Sequence, residues 1–243
     1  MNPDLAFARD ALILDIDGTL IEIAPTPENV VVPPELKHTL AALGPLLGGA
    51  LAFCSGRTLA AVDRLFAPLA LAAIGDHGAQ IRPAPGAPVE AMSAPIPEDV
   101  KRDFADVEQR FPGVHIEDKT YTLAFHYRAA PQFEAPLLDL VSGRLRHLPG
   151  GLVVLRGKAI VEIKSGGFDK GTGLRALMAH APFRGRRPVF LGDDRTDEDV
   201  MAVLKDFRGI GYSVGTLLEG ASGEFRAPAD VRAWLAGMTP VEA

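Results

Sequence analysis

Two acidic residues follow directly on a run of aliphatic residues near the start of the chain. Residues 11–14 read Ala-Leu-Ile-Leu, and Asp15, Ile16, Asp17 and a glycine come next. A short apolar run that ends in a turn signal predicts a buried strand of a parallel sheet, and ligands bind at the carboxyl ends of such strands. Because side chains alternate along extended chain, both carboxylates can point to the same side. Two acids this close repel each other, so the pair is expected to hold a proton or a metal ion.

Other residues that can do chemistry follow later apolar runs or begin a predicted helix. They are Ser55, Lys170, Asp193, Asp194 and Asp197. Each signal is weak alone, since serine caps helices, lysine is common at surfaces and acidic turns are commonly solvated. At the ends of successive strands, however, these side chains would meet at one edge of a sheet.

The elements that must position these residues alternate between strands and helices. Apolar runs predict further strands at residues 50–54, 71–74, 189–191 and, as the last strand, 209–214. Periodic leucines and other apolar residues predict helices at residues 35–47, 58–66 and 170–180, and around Trp234. Thr196 and Asp199 predict a capping box at the start of a helix through residue 204. This alternation predicts an α/β protein with a doubly wound, Rossmann-like parallel sheet.

A second, smaller domain is predicted in the middle of the chain. Prolines crowd residues 83–97, as expected where a chain crosses between domains. Helical periodicity then marks residues 100–111 and 133–148, and strand composition marks residues 121–128, 152–155 and 160–163. We therefore expect a larger core at 1–86 and 166–243 with an inserted α/β cap domain at 87–165. Prolines 25, 27, 33 and 34 predict an irregular flap after the acid pair.

The composition of the chain limits the classes of partner and the cellular compartment that we expect. The chain has 243 residues, 47% of them hydrophobic and 23% charged, with a net charge of −6. The negative charge and the lack of a dense basic stripe argue against a nucleic-acid partner. The single cysteine, Cys54, excludes an internal disulfide and fits a reducing compartment. Because neither a signal peptide nor a membrane-spanning run is apparent, we expect a cytoplasmic monomer with no membrane partner.

The sequence Asp15-Ile16-Asp17-Gly18-Thr19 resembles the nucleophile motif of the haloacid dehalogenase superfamily of phosphotransferases. Ser55, Lys170 and the acids from Asp193 follow in the order that this superfamily shows. The resemblance implies that Asp15 is a nucleophile that takes the phosphoryl group and that Asp17 is the general acid and base. It also implies that Asp15, the backbone carbonyl of Asp17, and Asp193 hold Mg²⁺.

The same resemblance assigns the remaining residues of the set. Ser55 and Lys170 would bind phosphate oxygens, and Asp194 and Asp197 would orient the residues around the metal. Phosphate monoester hydrolysis needs such a set, because enzymes accelerate it by up to ~10²¹ and general acid catalysis supplies only about 10² to 10⁴. A covalent intermediate, fixed geometry and charge neutralisation must supply the rest.

Further motifs, spread over residues 15–198, resemble those of the trehalose-6-phosphate phosphatase family. They are Ser55-Gly56-Arg57, His77-Gly78-Ala79, Glu117-Asp118-Lys119, His126-Tyr127-Arg128, Gly157-Lys158, Glu162-Ile163-Lys164, Lys170-Gly171 and residues 192–198. This resemblance implies that the substrate is a small sugar phosphate, trehalose 6-phosphate, hydrolysed to trehalose and phosphate through an aspartyl-phosphate. It implies substrate-binding roles for Arg57, Glu117, Lys119, Arg128, Lys158, Glu162 and Lys164. One departure is Ile163-Lys164, where arginine followed by proline is common in the family.

Three other interpretations stay open at this point. First, the charged residues of the middle region would also suit the solvated face of a half-exposed sheet. Second, the same motifs would suit a sugar phosphate other than trehalose 6-phosphate, such as sucrose phosphate or mannosyl-3-phosphoglycerate. A signalling receiver domain also has an acid pair, a phosphorylatable aspartate and a lysine on a doubly wound sheet. A receiver, however, needs neither Asp17 as an acid nor an inserted module.

Overall fold

The computed structural model describes residues 3–24, 30–148 and 150–239, and the chain forms two compact units. Residues 1–92 and 169–243 form one, here called the core unit, and residues 93–168 form the other, here called the small unit. The boundaries predicted after residues 86 and 165 lie six and three residues before these. The predicted flap falls partly on residues 25–29, outside the described residues.

The chain alternates between strands and helices over most of its length. The strands are β1 (Asp10–Leu14), β2 (Leu51–Cys54), β3 (Ala72–Gly75), β4 (Gln80–Arg82), β5 (Glu90–Ala91), β6 (His115–Asp118), β7 (Thr122–His126), β8 (Leu152–Gly157), β9 (Ile160–Ser165), β10 (Arg187–Gly192), β11 (Ile210–Val214) and β12 (Gly223–Phe225). The helices are α1 (Pro34–Leu46), α2 (Leu59–Phe66), α3 (Glu98–Asp103), α4 (Val107–Arg110), α5 (Glu134–Leu145), α6 (Lys170–Leu177), α7 (Glu198–Leu204) and α8 (Pro228–Ala236).

The core unit is built on one sheet with the strand order β12-β11-β10-β1-β2-β3-β4-β5. The strands from β12 to β3 run parallel, and β4 and β5 extend the sheet antiparallel. From β1 the chain moves to β2 on one side and returns to β10 on the other. Such a change of direction opens a crevice at the carboxyl end of β1, which is where ligands bind in sheets of this kind.

Helices cover both faces of this sheet. Leu12 and Leu14 of β1 belong to an apolar cluster with residues of α1, α2 and α8. Ala11 and Ile13 face the other way, into a second cluster with residues of α6 and α7. Burial on both faces explains why β1 is apolar throughout and does not alternate with polar residues. The predicted α/β class with a doubly wound parallel sheet is confirmed.

The small unit has its own antiparallel sheet, in the order β6-β7-β9-β8. Leu123, Phe125 and Ile163 point from one face into an apolar cluster with residues of α3, α4 and α5. Residues at the alternate positions, such as Glu117 and Glu162, therefore lie on the opposite face. This opposite face, on which the charged residues lie, is called the polar face below.

Three predictions for the core unit were wrong in detail. Helix α6 ends at Leu177, before the predicted residue 180, and β11 is followed by the short edge strand β12. The predicted capping box at Thr196 is not formed, because a 3₁₀ turn precedes α7 and Asp194 caps that turn. Within the described residues, we find no helix with the length and apolar character that crossing a membrane requires.

Candidate active site

The acid pair lies at the carboxyl end of β1, where the change in strand order opens the sheet. The amide of Asp15 still donates to the carbonyl of Leu191 on β10 at 2.9 Å, so the neighbouring strand fixes its backbone. The side chain of Asp15 is buried, whereas that of Asp17 is 33% exposed. The two carboxylates therefore occupy different environments although one residue separates them.

Lys170, the first residue of α6, connects Asp15 to the acidic turn after β10. Its Nζ donates to Oδ1 of Asp15 at 2.8 Å and to Oδ1 of Asp197 at 2.7 Å. All three side chains are buried. Burial alone would lower the pKa of Lys170, but the carboxylates of Asp15 and Asp197 outweigh it and raise that pKa well above the usual range. Lys170 therefore carries its charge at neutral pH.

Asp197 organises the acidic turn from the inside. Its Oδ2 accepts hydrogen bonds from the backbone amides of Asp193 and Asp194, at 2.9 Å and 3.0 Å. A Cβ on Gly192 would come within 2.5 Å of this carboxylate, so only glycine lets β10 end here. Because Asp197 is fully buried and both its oxygens accept hydrogen bonds, its contacts fit an orienting role. The side chain of Asp194 accepts from the amide of Thr196.

Three carboxylates form a group that can hold a metal ion. One oxygen each of Asp15, Asp193 and Asp197 lies within 4.8 Å of the others. Oδ2 of Asp15 is buried and makes no hydrogen bond to any residue that the structure describes. Burial raises the pKa of Asp15 well above its usual range, Lys170 opposes this, and Asp197 and Asp193 add to it. A buried carboxylate with an unbonded oxygen among other carboxylates fits a divalent cation as its partner.

Gly18 brings the loop after β1 against this group. Its φ of +87° is a conformation that favours glycine, and a Cβ there would lie 2.1 Å from Oδ2 of Asp193. The backbone of residues 17–18 therefore runs directly beside the carboxylate of Asp193. This closeness fits the predicted use of the Asp17 carbonyl, together with Asp15 and Asp193, around one ion.

Ser55 directly follows β2, the strand next to β1. The two strands pair through Leu14 and Phe53, so Asp15 and Ser55 follow this pair by one and two residues at the same sheet edge. Ser55 is buried, its amide donates to the carbonyl of Ile74 at 2.9 Å, and its Oγ accepts from the amide of Arg57 at 3.1 Å. The neighbouring strand thus fixes the position of this hydroxyl.

A strained loop after β3 braces residues 55–57. Asp76, His77 and Gly78 have φ values of +47°, +54° and +98°. The amide of Asp76 donates to the carbonyl of Arg57 at 2.7 Å, and that of His77 donates to the carbonyl of Ser55 at 3.2 Å. Consecutive residues in the left-handed region are costly, and they persist at sites that the surrounding structure determines.

The same loop, residues 76–78, also lies against the start of α6. A Cβ on Gly78 would lie 1.9 Å from the carbonyl oxygen of Asp169, the residue that caps α6. A Cβ on Gly56 would lie 2.4 Å from the ring of His77. The loop therefore couples the position of Lys170 to that of Ser55. His77-Gly78-Ala79 resembled a family motif, but this bracing role was not predicted from it, although the glycines that flank Asp76 and His77 are a signal for it.

Arg57, predicted to bind substrate, has a partner that the sequence did not indicate. Its Nε donates to Oδ2 of Asp17 at 2.7 Å and its Nη2 donates to Oδ1 of Asp17 at 2.8 Å. The two side chains therefore meet in a bidentate ion pair. Both residues follow neighbouring strands, and that is the only feature of the sequence from which the pairing can be suspected.

In the small unit, Glu117, Lys119 and Glu162 come together on the polar face. Ala124 pairs with Glu117 on one side and with Glu162 on the other, so the two acids flank one small residue. Nζ of Lys119 donates to Oε1 of Glu162 at 2.7 Å, with both side chains at most 9% exposed. The hydrogen bond from His126 lowers the pKa of Glu117, against the effect of burial.

The other predicted residues of the small unit are spread out. Nη2 of Arg128 donates to the carbonyl of Lys158 in the exposed turn between β8 and β9. Lys164 is buried, its Nζ donates to the carbonyl of Phe168, and it lies 4.3 Å from the centre of the Phe168 ring. The ammonium of Lys164 therefore has partners within the small unit, at its last residue, Phe168.

Comparisons with known proteins show the family to which this chain belongs. The family model described as trehalose-phosphatase matches residues 13–225. The trehalose-6-phosphate phosphatase of Escherichia coli K12 is 38% identical over 242 residues, which cover 98% of this chain and 89% of that protein. A probable trehalose-phosphate phosphatase of Sinorhizobium fredii is 38% identical and covers 84% of this chain and 77% of its own length.

Solved structures share the fold. A trehalose-6-phosphate phosphatase related protein has a TM-score of 0.78 at 22% identity, covering 94% of this chain and 96% of its own. The C-terminal domain of the Candida albicans trehalose-6-phosphate phosphatase also has a TM-score of 0.78 at 22% identity, covering 95% of this chain and 93% of its own. At this level of identity the likeness shows the fold alone.

Proposed function

This chain belongs to the trehalose-phosphatase family of phosphoric monoester hydrolases, and we propose that it hydrolyses trehalose 6-phosphate to trehalose and inorganic phosphate. The observation that carries the proposal is the buried contact of Lys170 with Asp15 and Asp197 beside Asp193. This contact joins Asp15, which follows β1, and Asp197, in the turn after β10, through the ammonium of Lys170 at the start of α6. It supports Asp15 as a nucleophile.

The reaction proceeds in two displacements at phosphorus. In the first, a carboxylate oxygen of Asp15 forms a bond to phosphorus while the bond to the sugar oxygen breaks, and Asp17 gives its proton to that oxygen. In the second, Asp17 takes a proton from water, the water oxygen bonds to phosphorus, and the bond to Asp15 breaks. Inorganic phosphate leaves, and both aspartates return to their starting states.

Mg²⁺ is the cofactor that fits this donor set. Asp15, the carbonyl of Asp17, and Asp193 would hold it, with Asp194 and Asp197 orienting the turn that carries Asp193. Hard oxygen donors of this kind suit Mg²⁺, which keeps several waters when bound. When bound, the ion neutralises charge on the phosphate oxygens.

The cations and the hydroxyl of the core unit serve the phosphoryl group. A pocket lined by Asp15, Asp193 and Asp197 would repel a phosphate dianion if no positive charge balanced it. Lys170 supplies such a charge, and Ser55 supplies a donor at a fixed position. These groups are in place before substrate arrives, so little reorganisation is needed during the reaction.

The polar face of the small unit is the surface that we assign to the sugar. Glu117 and Glu162 accept hydrogen bonds and Lys119 donates them, which suits a ligand with many hydroxyls. Arg128, Lys158 and Lys164 are further cations in this unit, and we assign them to substrate binding as well. Lys119 and Glu162 already bond to each other, so a ligand is selected by whether its hydroxyls match the further hydrogen bonds that this buried pair can make.

A substrate panel tests the proposed function. The purified chain with Mg²⁺ is given trehalose 6-phosphate, sucrose phosphate and mannosyl-3-phosphoglycerate, and released phosphate is measured beside an Asp15→Asn variant. We expect phosphate release from trehalose 6-phosphate at the highest kcat/KM and none from the variant. Preference for another sugar phosphate would contradict the substrate assignment, and a stable phosphoprotein that releases no phosphate would favour the receiver interpretation. A monomeric state and a cytoplasmic location stay predictions.

A further inference from the structure

The guanidinium of Arg57 engages both carboxylate oxygens of Asp17. The contacts measure 2.7 Å from Nε to Oδ2 and 2.8 Å from Nη2 to Oδ1. The side chains are 18% and 33% exposed, so solvent competes for this pair only in part. A planar fork that meets both oxygens fixes the direction of the carboxylate as well as its distance, which a single hydrogen bond does not.

Arg57 is itself held at its backbone. Its amide donates to Oγ of Ser55 at 3.1 Å, and its carbonyl accepts from the amide of Asp76 at 2.7 Å. The next residue, Thr58, caps α2 by accepting from the amide of Ala61 at 3.2 Å. Arg57 therefore extends from a braced segment, and its side chain can transmit that fixed position to Asp17.

We propose that Arg57 is a positioning residue, which holds the carboxyl group of Asp17 in the orientation needed to pass a proton to the departing sugar oxygen. This inference rests on the proposed function and replaces the substrate-binding role that the sequence suggested for Arg57. In the fork both oxygens of the ionised Asp17 accept from Arg57. When Asp17 takes up its proton, one oxygen carries it and gives up its hydrogen bond, while the other oxygen keeps its hydrogen bond to Arg57. The proton then travels from Asp17 to the sugar oxygen as the bond between that oxygen and phosphorus breaks. Arg57 exchanges no proton and acts through Asp17.

The proposal makes a prediction about leaving groups. A sugar alkoxide is a poor leaving group and needs a proton as its bond to phosphorus breaks, whereas 4-nitrophenolate leaves readily without one. The ratio kcat/KM contains the steps up to departure of the leaving group, before the phosphoenzyme is hydrolysed. A defect in proton donation therefore lowers kcat/KM for trehalose 6-phosphate and spares kcat/KM for 4-nitrophenyl phosphate.

The experiment measures kcat/KM of Arg57→Gln on both substrates with Mg²⁺. We expect a loss of about 30- to 100-fold on trehalose 6-phosphate, at or below the lower end of the roughly 10² to 10⁴ that general acid catalysis supplies in full, and less than about 3-fold on 4-nitrophenyl phosphate. Arg57→Lys restores the charge without the fork and should recover only part of the loss, with the same selectivity between substrates. It also serves if Arg57→Gln does not fold.

A matched control comes from the small unit. Arg144 forms a similar fork with Asp106, at 2.6 Å and 2.8 Å, with side chains 24% and 44% exposed. Arg144→Gln removes a comparable ion pair from the unit that does not carry the acid pair, and it should change kcat/KM by less than about 2-fold on either substrate. Asp17→Asn gives the upper limit, with a selectivity between substrates at least as large as that of Arg57→Gln.

Three outcomes would overturn the proposal. An equal loss on both substrates would make Arg57 a phosphate-binding residue, unchanged constants would make the fork incidental, and faster turnover of trehalose 6-phosphate would mean that the fork holds Asp17 out of use. Failure of the proposed function is distinguishable from all three. In that case the unaltered protein releases no phosphate from trehalose 6-phosphate, whatever the variants do.

Discussion

The core unit and the small unit hold their functional residues in different ways. In the core unit, Asp15 and Lys170 lie in loops and helix starts where glycines permit approaches that any Cβ would block. In the small unit, Glu117 and Glu162 stand on regular strands beside Ala124, on the polar face of a sheet whose other face is apolar. The first arrangement fixes the backbone as well as the side chains, and the second fixes mainly the side-chain positions.

This difference indicates how a protein of this architecture can keep its chemistry in the core unit while its ligand preference changes in the small unit. A change of residue type on the polar face leaves the sheet and its apolar cluster in place, since the side chains there point away from the core. A change in the loops around Asp15 disturbs several elements at once. We therefore expect variants of the core unit to abolish catalysis or stability and variants of the polar face to alter selectivity.

The largest effect should come from Asp15→Asn in the core unit. The amide cannot form the bond to phosphorus, so kcat on trehalose 6-phosphate should fall by at least about 10⁴-fold, within the range seen when a nucleophile is removed. Released phosphate measures the loss, and circular dichroism checks that the fold is intact. Substantial turnover by a folded variant would remove Asp15 as the nucleophile.

Removal of the metal should have the next largest effect. Treatment with a chelator should lower activity by about 10³-fold or more, and Mg²⁺ should restore it. Binding alone should also stabilise the chain, by about 2.7 kcal/mol when free Mg²⁺ is 100 times its dissociation constant.

Thermal unfolding with and without Mg²⁺ measures the stabilisation by Mg²⁺ binding independently of activity. Asp193→Asn should reduce the shift in melting temperature, because it removes a ligand charge. An equal shift in the variant and the unaltered protein would place the ion elsewhere.

Gly78→Ala tests whether the loops of the core unit fix the backbone as well as the side chains. Gly78 has a φ of +98°, and an added Cβ would lie 1.9 Å from the carbonyl oxygen of Asp169. We expect the free energy of unfolding to fall by about 3 kcal/mol. Gly86→Ala is the matched control, because its φ is +73° and no atom lies within 4 Å of the added Cβ. It should cost about 1 kcal/mol.

Chemical denaturation of both variants gives the two free energies. Equal losses would show that the contact with Asp169 adds no constraint and that only the backbone conformation matters.

Glu162→Gln should have a smaller and more selective effect. Glu162 is buried against Lys119, and the amide keeps the shape but loses the charge. We expect kcat/KM on trehalose 6-phosphate to fall by roughly 10-fold, with 4-nitrophenyl phosphate little affected, since that substrate offers no sugar hydroxyls. Lys101→Gln, which removes ion pairs with Glu98 and Asp118 in the same unit, should leave both constants within about 2-fold. Equal losses on both substrates would contradict a role in sugar binding.

The sequence predicted those features that depend on local pattern. The apolar run of β1 and the acids at its end mark both the sheet and the site, because a strand buried on both faces must be apolar until it reaches the crevice. The start of α6 at Lys170 follows from helical periodicity. The order of these motifs along the chain then identified the family.

Features that depend on contacts distant in sequence could not be predicted in this way. The fork between Arg57 and Asp17 joins the ends of two neighbouring strands, and Asp197 reaches its partners only through the turn after β10. His77 has a left-handed conformation and its ring lies against Gly56, a contact between two loops that no local propensity encodes. The short strands β4 and β5, at one end of the sheet, have too few residues to show a period.

Trapping the covalent intermediate tests the central claim most directly. The protein is mixed with trehalose 6-phosphate labelled with ³²P and with Mg²⁺, quenched in acid within the first turnover, and digested for mapping by mass spectrometry. We predict label on the peptide that contains Asp15, sensitive to hydroxylamine as an acyl phosphate is, and none in Asp15→Asn. Label on another residue, or hydrolysis with no labelled protein at any quench time, would contradict the account.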